Sequence, residues 1–183
     1  MRLLKREDNG EFSLTKDLAI NIPDYAILSH TWGDDDQEVT YKDLAEGLGK
    51  AKAGYQKLRF CAEQASRDGL RYFWVDTCCI NKADAVDVQR SINSMFRWYK
   101  NAAKCYVCLS DVLIPNDNVE NDSSLNFESA FRAARWFTRG WTLQELLAPS
   151  SVEFFSAKHH QLGDKLSLER LIHEMIEIPV EAL

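Results

Sequence analysis

The sequence predicts an α/β fold, a mainly parallel open sheet flanked by helices, and three observations carry that prediction. Runs of strand length, rich in β-branched and aromatic residues, alternate along the chain with helical patterns, the order of successive βαβ units. Those runs are apolar throughout, as strands are when helices cover both faces of a sheet. Polar residues collect at their carboxyl ends, where open parallel sheets bind ligands near a topological switch point.

Each element follows in order. Residues 1–24 are read as an N-terminal arm and 25–183 as the domain. "YAILSHTW" (25–32) is the first strand, and "GDDDQE" is the loop behind it. From about Ala53 to Asp68 apolar residues recur at i, i+3, i+4 spacing, so a helix is expected, with Gly69 as its stop. "RYFWVDTCCI" (71–80) is the second strand. The next helix, "DAVDVQRSINSMFRWYKNA", sets Val88, Ile92, Met95, Phe96 and Tyr99 on one face. "KCYVCLSDV" (104–112) is the third strand, "IPNDNVENDSS" a polar loop, and Phe127–Arg135 and Trp141–Ala148 are short helices. A fourth strand, "SVEFFSA" (151–157), and a helix over Ser167–Ile176 complete the reading.

Composition narrows the function classes. With 45% hydrophobic and 27% charged residues the chain has the apolar material for one sizeable core. A net charge of −6 argues against binding a nucleic-acid backbone, because no basic excess exists to neutralise phosphates. No apolar run is long enough to span a bilayer, and "MRLLKREDNGEF" lacks the apolar segment of a signal peptide, so a cytoplasmic location is expected. Five cysteines are read as buried free thiols. The CxxC of "KCYVCLSD" has no second ligand pair at zinc spacing, the His159–His160 pair suits a surface loop, and no metal site is expected. GxGxxG, GxxxxGK[ST] and GxSxG are all absent.

The strand-end rule names candidates. Ser29, His30, Thr31 and Trp32 follow the first strand; Asp76, Thr77, Cys78 and Asn81 follow the second; Ser110 and Asp111 follow the third. A further candidate lies in "RGWTLQELLAP" (139–149). At about 100° per residue, Leu143, Leu146 and Leu147 form one stripe and Trp141 and Glu145 lie opposite, one turn apart. Glu145 is then either a solvated residue on an amphipathic helix or a carboxylate presented beside an aromatic ring.

Three blocks, "YAILSHTWG", "FWVDTCCIN" and "RGWTLQELLAP", in this order and spacing, resemble the signature blocks of the fungal heterokaryon-incompatibility (HET) domain, from Tyr25 to the C-terminus. The first reads SHTWG where the family often has SYxWG, so His30 departs from the pattern. The family is associated with fungal non-self recognition and programmed cell death. HET domains are in turn similar to TIR domains, which implies a flavodoxin-like, TIR-like sheet. "RGWTLQEL" resembles the plant TIR stretch SxWCLxEL, with Trp141 and Glu145 on its Trp and Glu. In NAD⁺-cleaving TIR domains that glutamate is catalytic.

The resemblance therefore implies NAD⁺ as substrate, no prosthetic group, and Glu145 as the catalytic carboxylate. Trp141 would stack on a ring or wall the pocket, residues Ser29 to Gly33 (with His30, Thr31 and Trp32) would hold pyrophosphate, and Asp76 would accept a ribose hydroxyl or fix its loop, with Asn81 nearby. Self-association is expected through Trp32 and the acidic loop 34–38. Two readings stay open: an NAD⁺ glycohydrolase, and a non-catalytic module that assembles with its own kind.

Overall fold

The computed structural model describes residues 1–113 and 123–176. Among the described residues seven strands form one mixed sheet in the order β2-β1-β4-β3-β5-β6-β7. Its centre is parallel: β3 (Tyr25–His30) pairs with β4 (Tyr72–Trp74) on one side and β5 (Lys104–Cys108) on the other, and β5 pairs with β6 (Val152–Phe155). These four strands follow the 2-1-3-4 order with which flavodoxin-like doubly wound sheets begin. Antiparallel strands close both edges: β1 (Leu4–Arg6) and β2 (Phe12–Leu14) beyond β4, and β7 (Gln161–Asp164) beyond β6. The expected α/β class holds. Residues 1–24, read as an arm, supply two strands of the sheet and bury Leu3 and Leu4 completely.

Side-chain alternation shows what covers each face. Tyr25, Ile27 and Ser29 share a face; the Tyr25 hydroxyl donates to the carbonyl of Trp98 and the Ser29 hydroxyl to Glu145. That face is covered by α4 (Ala85–Lys100) and α6 (Thr142–Leu147). Tyr106 points the other way, onto Phe60 of α2 (Tyr55–Arg67) and Asp68 behind it. All six residues of β3 are buried, as a central strand covered on both sides requires. Gly69, at φ +74, ends the α2 segment in the left-handed region, as its place in the sequence suggested. α1 (Tyr41–Ala45) carries a capping box from Thr40 and Asp43. α5 (Ser123–Arg132) and α7 (Glu169–Ile176) pack on each other. Among the described residues no helix is long and apolar enough to cross a membrane.

Two departures from the sequence reading shape the site. The second strand ends at Trp74, far short of residue 80. The Val75 carbonyl accepts the amides of Cys78 and Cys79, which winds Asp76–Cys79 into the single-turn helix α3 and carries Asp76 upward off the sheet. Helix α4 has a different inner face from the apolar one. It buries Asp87, Ser91, Trp98 and Tyr99, leaves Val88 and Met95 only partly buried, and leaves Ile92 and Phe96 exposed. The apolar stripe has another use.

Candidate functional site

That stripe is a wall. Val88, Ile92, Met95 and Tyr99, at helical spacing on α4, face a cavity of about 700 Å³ beyond the carboxyl ends of β3 and β4. Ile80 continues the apolar wall. Thr31 and Trp32 come from the loop after β3, Asp76 from α3, Lys82 from the turn before α4, and Arg139, Gly140, Trp141 and Glu145 from the entry and body of α6. The cavity is apolar along one side and charged along the other.

Glu145 sits deep in it, only 3% exposed. The wheel set it opposite the leucine stripe, and the structure corrects this: α6 buries Thr142, Glu145 and Leu146 and leaves Trp141 and Leu143 each 49% exposed. A six-residue helix is oriented by the groups fixed at its ends more than by its apolar stripe. Here the 3₁₀ turn Arg135–Thr138 buries Trp136, and the Thr142 hydroxyl donates to the Trp136 carbonyl, fixing the rotation of α6. Glu145 then meets a ready set of donors. Arg139 grips both carboxylate oxygens, Nη1 to Oε2 at 2.9 Å and Nη2 to Oε1 at 3.0 Å. The Trp136 indole donates to Ser29 Oγ at 2.7 Å, and Ser29 donates onward to Glu145 Oε2 at 2.5 Å.

Asp76 is less well served. Its Oδ2 accepts the Trp32 indole N–H at 2.8 Å, but its Oδ1 has no hydrogen-bond partner among the described residues and lies 3.9 Å from the Nε2 of buried His30, which likewise has none among them. Burial pushes the Asp76 carboxyl up to about 6, with Glu145 adding to the rise, against the pull of Lys82, the Trp32 hydrogen bond and Arg139. Burial and the charges of Lys57, Arg139 and Lys82 hold His30 well below the usual histidine range, so its ring is neutral. Lys82 places its ammonium 3.4 Å from the centre of the exposed Trp32 ring, a cation–π contact at the cavity mouth.

The structure thus brings Thr31, Trp32, Asp76, Trp141 and Glu145 to one cavity. Ser29 and His30 stand behind it, supporting Glu145 and facing Asp76. Asn81 falls outside: its amide donates to Asp87 and its side-chain oxygen accepts from Ala83, so it shapes the turn into α4. Sequence reasoning missed Arg139, Trp136, Lys82 and the role of the α4 stripe. One signal was available, since a glutamate among leucines needs a cation if it is buried, and Arg139 lies in the same quoted block. All five cysteines are free and buried, as expected. Among the described residues no three His, Cys, Asp or Glu side chains are grouped to hold a metal ion.

Residues 25–114 match the family described as heterokaryon incompatibility protein (HET). Over its whole length the chain is 58% identical to the vegetative incompatibility protein HET-E-1 of Podospora anserina, of which it spans 13%. No solved structure matches it. With its three blocks assembled around one cavity, the chain belongs to the heterokaryon incompatibility (HET) family.

Proposed function

We propose that this chain hydrolyses the N-glycosidic bond of NAD⁺, releasing nicotinamide, as the effector of a fungal non-self recognition response that ends in programmed cell death. The vegetative-incompatibility relative supports the biological role. The observation that carries the chemistry is Glu145: a carboxylate held 3% exposed in the wall of a cavity large enough for a nucleotide, whose lining includes Trp32, Tyr99 and Trp141. Cleavage leaves positive charge on the ribose, and a fixed carboxylate in a recess shielded from water stabilises that charge far better than water does. The C1′–N bond breaks with its electron pair going to the pyridinium nitrogen, so nicotinamide leaves neutral and needs no general acid. Water adds at C1′ and gives up a proton to solvent. Trp141 and Trp32, both exposed at the rim, offer flat faces for stacking.

A second reading has its own observation. Both oxygens of Glu145 are already satisfied, and Trp141, Leu143 and Phe96 leave apolar surface in water. That combination suits a non-catalytic module that pairs with a second copy, its glutamate a structural anchor. Incubating the folded protein with NAD⁺ and following free nicotinamide separates the two. Release in proportion to protein supports the enzyme, and its absence at millimolar NAD⁺ leaves the interaction module, which light scattering would then reveal as a dimer or larger assembly.

A further inference from the structure

Glu145 is masked. Arg139 meets it edge to edge through two hydrogen bonds, and a carboxylate so paired offers a nearby cation little net field. The two partners differ in access: the side chain of Glu145 is 4% exposed, that of Arg139 22%, and both line the cavity. A ligand entering the cavity therefore reaches the guanidinium more readily than the carboxylate. Its planar fork fits a phosphate as well as it fits a carboxylate. Lys82 brings a second cation to the same cavity. Glu145 does not depend on Arg139 alone, because Ser29, itself fixed by the Trp136 indole, keeps a hydrogen bond on Oε2.

We propose that Arg139 sets the substrate specificity of the cavity by partner exchange: a substrate phosphate takes its guanidinium, and Glu145, released but still tethered by Ser29, turns its charge to the ribose. This rests on the NAD⁺-cleavage reading. It requires a phosphate near the ribose being cleaved, so the substrate class is phosphate-bearing nicotinamide nucleotides. A nicotinamide riboside enters the same cavity, leaves Arg139 on Glu145, and meets a neutralised pair.

The test uses the wild-type chain with three substrates, NAD⁺, nicotinamide mononucleotide and nicotinamide riboside, with nicotinamide release as readout. Both nucleotides should be cleaved, and the riboside should be at least 100-fold poorer in kcat/KM. Adding inorganic pyrophosphate at millimolar concentration should raise riboside cleavage at least tenfold, since the anion occupies Arg139 without being part of the substrate. Arg139→Gln should collapse the ratio of nucleotide to riboside rates to within a few-fold, and a ratio does not depend on how much variant is folded. Riboside cleaved as well as NAD⁺ by the wild type overturns the exchange while leaving the enzyme reading intact. A slow riboside that pyrophosphate fails to activate, or inhibits, overturns it equally. No cleavage of any of the three removes the enzyme reading itself.

Discussion

The segment that runs from β4 into α4 carries two inward-facing aspartates, and their surroundings are opposite in kind. Asp87 accepts Arg2 at 2.7 Å, the Asn81 amide at 2.8 Å and Arg90 at 2.6 Å. Burial alone would raise its carboxyl, but those donors outweigh it and hold Asp87 below the usual range. Among the described residues Asp76 keeps one oxygen without a hydrogen-bond partner and faces a histidine nitrogen also without one, and it is pushed up to about 6. A satisfied buried carboxylate holds a fold together; an unsatisfied one costs about 1–3 kcal/mol and is retained where something else requires it. The Asp87 cluster ties the N-terminal strands to α4, whereas the Asp76 cluster faces the cavity.

The comparison is broken most easily at Asp87. Asp87→Asn leaves Arg2 and Arg90 facing a neutral group and should cost about 3 kcal/mol, at the low end for a buried pair because Arg90 is half exposed. That lowers the melting temperature on the order of 6–12 °C for a chain of this size, while nicotinamide release per folded molecule stays unchanged. Release lost out of proportion to folding would show that the two clusters are coupled.

Asp76→Asn sharpens the contrast by reversing the sign. Asp76 binds its proton more tightly folded than unfolded, so its contribution to stability is present below its unfolded value of about 3.9. It is lost as pH rises through about 6. The shift is worth about 2 kcal/mol after allowance for partial exposure. The asparagine variant does not titrate, so its melting temperature relative to wild type should climb by about 4–8 °C between pH 4 and pH 7. A difference that stays flat with pH would mean that Asp76 binds its proton equally well folded and unfolded, and one that falls as pH rises would mean that it is as well satisfied as Asp87.

The smallest effect is expected at Cys78, fully buried beside Asp76, whose thiol burial holds well above its ordinary range. It has no route to a reactive thiolate. Cys78→Ser should leave nicotinamide release within about tenfold, or roughly 1.4 kcal/mol in barrier. Complete loss in a folded variant would place the nucleophile there.

How legible this was depended on what each signal measures. Apolar runs reported the four parallel strands because both faces of each are covered, and that pattern is local. The edge strands β1, β2 and β7 are short and covered unevenly, so Leu4–Arg6 and Gln161–Asp164 carried no run to read. The stripe on α4 is legible as a face, but its use is not, since periodicity cannot distinguish the lining of a core from that of a cavity. The orientation of Glu145 was out of reach of the wheel because Arg139, Ser29 and Trp136 decide it, and Ser29 lies on a distant strand. The strand-end rule did better. From topology alone it points to Thr31, Trp32 and Asp76, which line the cavity, and to Asn81, which lies outside that lining and serves a turn.

The central claim is that the charge of Glu145 performs chemistry in a cavity, and Glu145→Gln tests it most directly. Removing one partner of the buried Arg139 pair should cost several kcal/mol of stability in either account, so melting alone decides nothing. The measurement is nicotinamide released from NAD⁺ per folded molecule, with folded fraction and turnover taken on the same sample below both melting temperatures. The account predicts a fall of about 10²–10³-fold per folded molecule, on the order of 3–4 kcal/mol, the loss expected when one preorganised electrostatic partner is removed. Release that falls only with the folded fraction would contradict it and make Glu145 a structural anchor.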